Sequence, residues 1–219
     1  MRKVYVSLTG HDFMAFERKF KEIKKHGLQE VALFLSALPH KHHKYVFEKL
    51  LKSEIKYIPL VHITEETTKA EIELLKRRFK TKYFNIHNHS LKTIEKYQPY
   101  LKNILLETHP EVVFDEIGLA KIGGFCIDVA HFWRAKEIQS NDYFQVLKFK
   151  HKKSLFKANH LSGYKANWGD LHDIKNEKDF QYLKEIPKFV LGNILAIEVM
   201  DTINTQLKMK KFIEKILKI

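Results

Sequence analysis

Cysteine is almost missing from this chain: its 219 residues include one, Cys126. An internal disulfide is excluded and a reducing compartment fits; placed in the apolar run Gly124-Phe-Cys-Ile127, the thiol reads as buried rather than nucleophilic. Long hydrophobic runs are missing too. Val4–Leu8, Val31–Leu35, Ile58–Val61 and Ile194–Ile197 are four or five residues each, too short to span a bilayer, so no membrane partner is expected. The opening MRKVYVSL passes directly into a strand-like run without the apolar stretch and small-residue cleavage site of a signal peptide, and the expected location is the cytoplasm. No stretch is rich in Pro, Gly or Ser or of low complexity, so residues 1–219 are expected to form a single domain; 44% hydrophobic content suffices for one well-buried core.

Negative charge is scarce: 26 Asp and Glu stand against 39 Lys and Arg, a formal net charge of +13. This favours a polyanionic partner or an anionic substrate. The densest basic stretch runs from Lys148 to Lys165 with no acidic residue, and Phe149, Phe156 and Tyr164 interleave its lysines. Such interleaving suits a phosphate backbone with an aromatic stacking surface; for Lys148–Lys153 the alternative is a solvated helix end leading into a strand.

What is present is an alternation of β-like and helical segments. Strand-like runs fall at 3–8, 30–35, 56–62, 82–87, 103–107, 123–128, 155–160 and 193–198. Apolar residues recur at helical spacing over 12–26, 65–79 and 203–217, and weaker helical segments are expected over 110–118 and 131–147, the latter interrupted at Ser140-Asn141-Asp142. Thr64 and Ser90 read as helix caps and Gly27 as a helix stop. The natural closure is an α/β fold, a compact single (β/α)₈ TIM barrel with short loops, whose active site would lie at the C-terminal ends of the strands.

Metal-ligand residue types gather there. His62, His87, Glu107, Asp128, His160 and Glu198 end six of the expected strands, and His131, Asp170 and His172 follow shortly after two of them. Burying so many ligand-type groups without a metal or other partners would be costly. Asp128 has the alternative role of a helix N-cap, Glu107 and Glu198 that of a buried salt bridge, and Asp170-Leu-His172 that of a polar loop. His11, His40, His42 and His43 are expected to face solvent, where the HKHH run could bind adventitious metal; Trp133 is expected in the core. Trp168 could stack on a base or sugar, or plug the barrel mouth.

At these residues the chain resembles the endonuclease IV family of apurinic/apyrimidinic endonucleases (AP endonuclease family 2), within the xylose-isomerase-like TIM-barrel superfamily. Cys126-Ile-Asp128-Val-Ala-His131 is similar to its C-I-D-x-x-H segment, Asn85-Ile-His87 to N-F-H, Leu105-Leu-Glu107-Thr to the strand-five L-E-N. His160-Leu-Ser-Gly-Tyr-Lys165 resembles H-L-N-D-x-K, Asp170-Leu-His172 resembles D-x-H, and Leu195-Ala-Ile-Glu198 the final strand. Ser162-Gly163 stands where the family has N-D, and the chain is shorter than the family norm. The resemblance implies a zinc phosphodiesterase acting on DNA at abasic sites, with two or three Zn²⁺. Glu107 would bridge two metals, with His62 and His87 on the first and Asp128, His160 and Glu198 on the second; His131, Asp170 and His172 would hold the third. Glu107, Asp128 and Glu198 are the expected catalytic residues, and Lys165 and Trp168 the expected substrate contacts. The alternative within the superfamily is a sugar or sugar-phosphate isomerase or epimerase using one Mn²⁺, Mg²⁺ or Zn²⁺ held by Glu107, Asp128, His160 and Glu198, with Lys165 on the phosphate. A barrel that has lost catalysis and binds an anion or a partner is the third class. The sequence leaves the oligomeric state open.

Overall fold

The computed structural model describes residues 1–87, 94–107, 116–166 and 169–219, and the side chains of all of these except Glu116, Ile117 and Asp170. One sheet takes strands from both ends of the chain: β1 (Lys3–Tyr5), β2 (Ser7–Leu8), β3 (Ala32–Phe34), β4 (Leu60–His62), β5 (Tyr83–His87), β6 (Ile104–Glu107), β7 (Gly124–Asp128), β8 (Phe156–Leu161) and, after the short hairpin β9 (Gly163–Lys165) and β10 (Gly169–Leu171), β11 (Ile194–Ile197). The order is β1-β11-β8-β7-β6-β5-β4-β3-β2, with every pairing in this sheet parallel. The two ends of that order, β1 and β2, are separated in the chain by Val6 alone, whose carbonyl accepts the Ala32 N–H at 2.9 Å. The sheet therefore curls into a nearly closed barrel of nine parallel strands.

Helices return the chain from one strand to the next: α1 (Phe13–Lys25), α2 (His43–Lys52), α3 (Lys69–Phe79), α4 (Glu116–Lys121), α5 (Val129–Glu137), α6 (Asn141–Lys148) and α7 (Ile203–Leu217). Asp12 caps α1 by accepting the Ala15 N–H, and the chain turns out of the helix at Gly27, whose φ of +61° suits a residue without a Cβ. The cap of α3 is Thr68 rather than Thr64, which instead donates its N–H to Thr67 Oγ1 in the preceding turn; Thr68 and Glu71 form a reciprocal capping box. Ser90, like most of 110–118, lies outside the described residues. The helix expected over 131–147 is two helices, broken where Gln139 takes a φ of +52° and Ser140 begins the next segment. Among the described residues no helix is long and apolar enough to cross a membrane.

Strand periodicity sorts the core into two layers. Outward residues such as Leu33, Val61, Phe84, Leu106, Ile127 and Leu195 pack against the helices. Inward residues Tyr5, Ala32, Phe34, Leu60, Leu105, Cys126, Ala158, Ile194 and Ala196 fill the barrel. Phe149 and Phe156 belong to the outer layer, in ring contact with Phe125, and Tyr164 is buried as well. The expected stacking surface is thus corrected: aromatics between the lysines of 148–165 are core, each contributing about 1.5–3 kcal/mol by burial. The exposed Lys148, Lys150, Lys152 and Lys153 precede β8, at the N-terminal edge of the barrel.

Candidate metal centre

Counting two residues onward from the inward core positions leads to the C-terminal mouth of the barrel. Leu60 is followed by His62, Leu105 by Glu107, Cys126 by Asp128, Ala158 by His160 and Ala196 by Glu198, while Tyr83 leads through Asn85 to His87. Period-two alternation points all of these inward. The register aligns them laterally, with His87 opposite Glu107 and Asp128 opposite His160. Glu198 extends β11, its N–H donating to Leu161 O at 2.9 Å.

Six of the nine expected ligands come together here. Glu107, Asp128, His160 and Glu198 each offer a ligand atom within 4.8 Å of the others, as do His62, His87 and Glu107, and also His62, His160 and Glu198. Glu107 lies between the sets. Its Oε2 is 3.4 Å from His62 Nε2, and its Oε1 is 3.7 Å from His87 Nε2 and 3.2 Å from His160 Nδ1. Glu198 Oε2 is 3.0 Å from the same His160 Nδ1. Asp128 caps α5 by accepting the His131 N–H at 2.8 Å, and it also stands within the group of ligand-type side chains.

His131 and His172 join no group of three ligands among the described residues. His172 lies at the margin, donating Nδ1–H to the Glu198 carbonyl at 3.1 Å. The Asp170 side chain and Trp168 lie outside the described residues. The backbone of Asp170-Leu-His172 is not the loop expected of it: Asp170 and Leu171 pair with Tyr164 and Gly163 in the β9–β10 hairpin. Lys165 is exposed at the end of β9 and lines a cleft of about 840 Å³ with His172, Lys175 and Lys178. Trp133 is half-buried against the core, with Lys136 Nζ 4.0 Å from its ring centroid.

Two contributors escape a reading of the sequence for ligands. Asn85 is fully buried and donates to Glu107 Oε2 at 2.6 Å; its place in the Asn85-Ile-His87 motif is the signal that could have found it. Phe34 packs edge-on against His160 and His62, with ring centroids 4.7 and 5.9 Å away, and nothing in its sequence context marks it.

The electrostatics of this cluster call for positive charge. Burial alone would raise all three carboxylates. Asp128 is raised by it; Glu107 and Glu198 are nevertheless held low, chiefly by the charge of His160. Burial would likewise depress His160, yet the Glu107 and Glu198 carboxylates hold it well above the usual imidazole value. The Cys126 thiol beside it is pushed up to about 11 by burial, so it is uncharged at neutral pH and adds little. His62 goes the other way: burial lowers it to about 4, and among the described residues neither of its buried ring nitrogens has a hydrogen-bond partner. A neutral imidazole without hydrogen bonds, beside crowded carboxylates, has the donor chemistry of a divalent-metal site. The residues present fit zinc or a related cation.

No family model matches the chain, and no curated protein matches it. Among solved structures, the crystal structure of an uncharacterised protein from Parabacteroides distasonis aligns over 98% of both chains with a TM-score of 0.53 at 16% identity. An aldo-keto reductase from Bacillus halodurans in its holo form aligns over 99% of this chain and 91% of its own with a TM-score of 0.38 at 13% identity. The first likeness extends the fold across the full length of both chains and says nothing of activity.

Proposed function

We propose that this protein is a metal-dependent enzyme on an eight-stranded barrel, with β1 and β2 as halves of one strand, and that it hydrolyses phosphodiesters in the manner of the endonuclease IV family that its motifs resemble. The observation that carries the reading is the position of Glu107 between two ligand sets, His62 with His87 and Asp128 with His160 and Glu198. Each set suits one divalent ion, preferably zinc for its imidazole content, so two ions are expected at this mouth. Zinc bound there would supply Lewis-acid stabilisation of phosphate oxygens and a more acidic water.

The protein's own side chains do the rest. Asn85 fixes the Glu107 carboxylate so that its two oxygens face different histidines. Asp128, raised by burial, and Glu198, partly open to solvent, are the groups able to hold or pass a proton at the mouth. Lys165, Lys175 and Lys178 beside the mouth suit an anionic substrate, and the net charge of +13 suits DNA carrying an abasic site.

One observation favours a second reading. Glu107, Asp128, His160 and Glu198 already make a complete four-ligand set, enough for one Mn²⁺, Mg²⁺ or Zn²⁺ and for isomerisation or epimerisation of a phosphorylated sugar. Elemental analysis of untagged protein, compared with Glu107→Gln, separates the two. A loss of two or more zinc ions in the variant, together with loss of cleavage of an abasic-site oligonucleotide, supports the phosphodiesterase. Loss of one ion, with turnover of a sugar phosphate, supports the isomerase. Equal metal content in both proteins would overturn both readings.

A further inference from the structure

A separate group of ligand-type side chains stands on the rim of the barrel. After β3 the chain makes one 3₁₀ turn at His40–His42 and enters α2 at His43. Solvent exposure, expected for the whole HKHH run, fails for His43, which is 1% accessible. Val46, Phe47 and Leu50 of the same helix are buried, and they carry its first residue inward with them. Among the described residues neither ring nitrogen of His43 meets hydrogen-bond geometry with a partner, and the buried Nε2 of His40 meets none either.

Both rings face Glu71 in the first turn of α3. Glu71 Oε1 is 3.5 Å from His43 Nδ1 and 3.6 Å from His40 Nε2, while the imidazole centroids are 4.7 Å apart. The carboxylate is held in place from its other side, where Oε2 accepts the Thr68 N–H at 2.6 Å and the Thr68 hydroxyl at 2.9 Å. Such a support fixes a ligand's orientation.

The spacings discriminate between an ion pair and a metal site. A charge-assisted hydrogen bond would draw nitrogen and oxygen to about 2.7–2.9 Å. Ligands that share one ion at about 2.0–2.1 Å, at tetrahedral to trigonal angles, stand about 3.3–3.6 Å from one another. The rim distances belong to the second range.

We propose that His40, His43 and Glu71 form a second divalent-metal site, of the zinc class, that shares no ligand with the barrel mouth and fastens the start of α2 to the start of α3. His40, with 37% of its side chain exposed, leaves a route for the ion and a fourth position for water. The site also bears on the mouth mechanically. The segment it anchors begins at Phe34, whose ring packs against His62 and His160.

The test uses the untagged full-length protein, dialysed against Zn²⁺, desalted and analysed for zinc per chain, alongside His40→Gln, His42→Gln, Glu71→Gln and Glu107→Gln. His40→Gln and Glu71→Gln should each hold one zinc fewer than the wild type, His42→Gln should hold as many, and Glu107→Gln should keep the rim ion. Co²⁺ titration gives a second readout: the ligand-field absorption of a His₂-carboxylate site should survive in Glu107→Gln and vanish when His40→Gln is added. The outcome does not depend on the barrel mouth, since an empty mouth would leave one zinc in the wild type and none in His40→Gln. Unchanged zinc in His40→Gln, or an equal loss in His42→Gln, would overturn the proposal, the latter by marking the HKHH run as an adventitious chelator.

Discussion

Asn85 on β5 and Glu107 on β6 meet on the diagonal of the strand pair, one alternation apart, and the 2.6 Å hydrogen bond from Asn85 Nδ2 to Glu107 Oε2 fixes the carboxylate around which the ligand sets are built. Replacement by leucine of similar size removes that hold and leaves the direct ligands in place. Support of this kind is worth about 10–100-fold in metal affinity. Asn85→Leu should therefore bind zinc at the mouth with an affinity reduced by about that factor, yet reach the same stoichiometry at saturation. Competition against a chromophoric chelator measures it; an affinity equal to the wild type would remove Asn85 from the metal centre.

The pH dependence of stability should change sign with metal. In the metal-free protein, His160 has a pKa raised above 6.5, because the Glu107 and Glu198 carboxylates at 3.2 and 3.0 Å outweigh its burial. A raised folded pKa means that its contribution is complete below the unfolded value and is lost as pH rises through the folded one. Zinc requires the neutral ring, so its binding expels that proton and strengthens as pH rises. The difference in thermal midpoint between zinc-loaded and chelator-treated protein should grow from about pH 6 to about pH 8. Lys19, lowered to about 7 by burial, adds a slope of the opposite sign, but equally in both forms, so the difference cancels it. A difference that shrinks over this range would refute the assignment of His160 as a ligand.

Much of this site was legible because parallel strands buried on both faces read as short apolar runs with a single polar residue where each leaves the sheet. Leu105-Leu-Glu107 and Leu195-Ala-Ile-Glu198 show it plainly, and period two then places the carboxylates on the inner face with Leu105 and Ala196. Tertiary context hid the rest. His43 reads as part of a polar run, and its burial follows only from the packing of Val46, Phe47 and Leu50 in α2. Phe149 and Phe156 alternate with lysines in sequence as an aromatic binding stripe would, but their rings meet Phe125 from across the outer layer. The β9–β10 hairpin has three-residue strands, too short to leave a periodic signal.

Position along the barrel axis should decide which lysines matter to an anionic ligand. Lys165, Lys175 and Lys178 line the cleft beside His172, whereas Lys148, Lys150, Lys152 and Lys153 lie at the opposite edge of the sheet. The cleft also contains Asp173 and Asp179, but Asp179 is engaged by the Lys175 and Asn176 N–H groups, which leaves the lysines dominant. Lysine-to-glutamine changes at 165, 175 and 178 should weaken binding of an abasic-site oligonucleotide and lower the salt slope by about one for each phosphate no longer neutralised. The same change at 150, 152 and 153 should leave both near the wild type. A larger effect from the second set would place the anion at the wrong end of the barrel for the metal centre.

Stability rests on a polar side chain that takes no part in the site. Asn159, fully buried on β8 next to His160, points to the outer face, where its Nδ2 donates to Ile127 O at 3.1 Å and Val190 O at 3.0 Å and its Oδ1 accepts the Gly192 N–H at 2.7 Å. It thereby ties β7, β8 and the approach to β11 together at a point of close backbone contact. A Cβ on Gly192 would lie 2.2 Å from the Lys157 carbonyl carbon, so the segment cannot move closer to compensate. Asn159→Ala loses three bonds and leaves backbone groups unsatisfied, a cost of about 2–4 kcal/mol. Asn159→Asp should be worse at neutral pH, because a carboxylate would face two carbonyl oxygens. Its folded pKa would be raised, so the added penalty is absent below about pH 4 and grows as pH rises toward that value. Denaturant titrations at about pH 4 and pH 7 check the sign: the two variants should converge in acid and diverge at neutrality. Zinc content below their midpoints should match the wild type, and a loss of metal from folded Asn159→Ala would show that this lattice also positions His160.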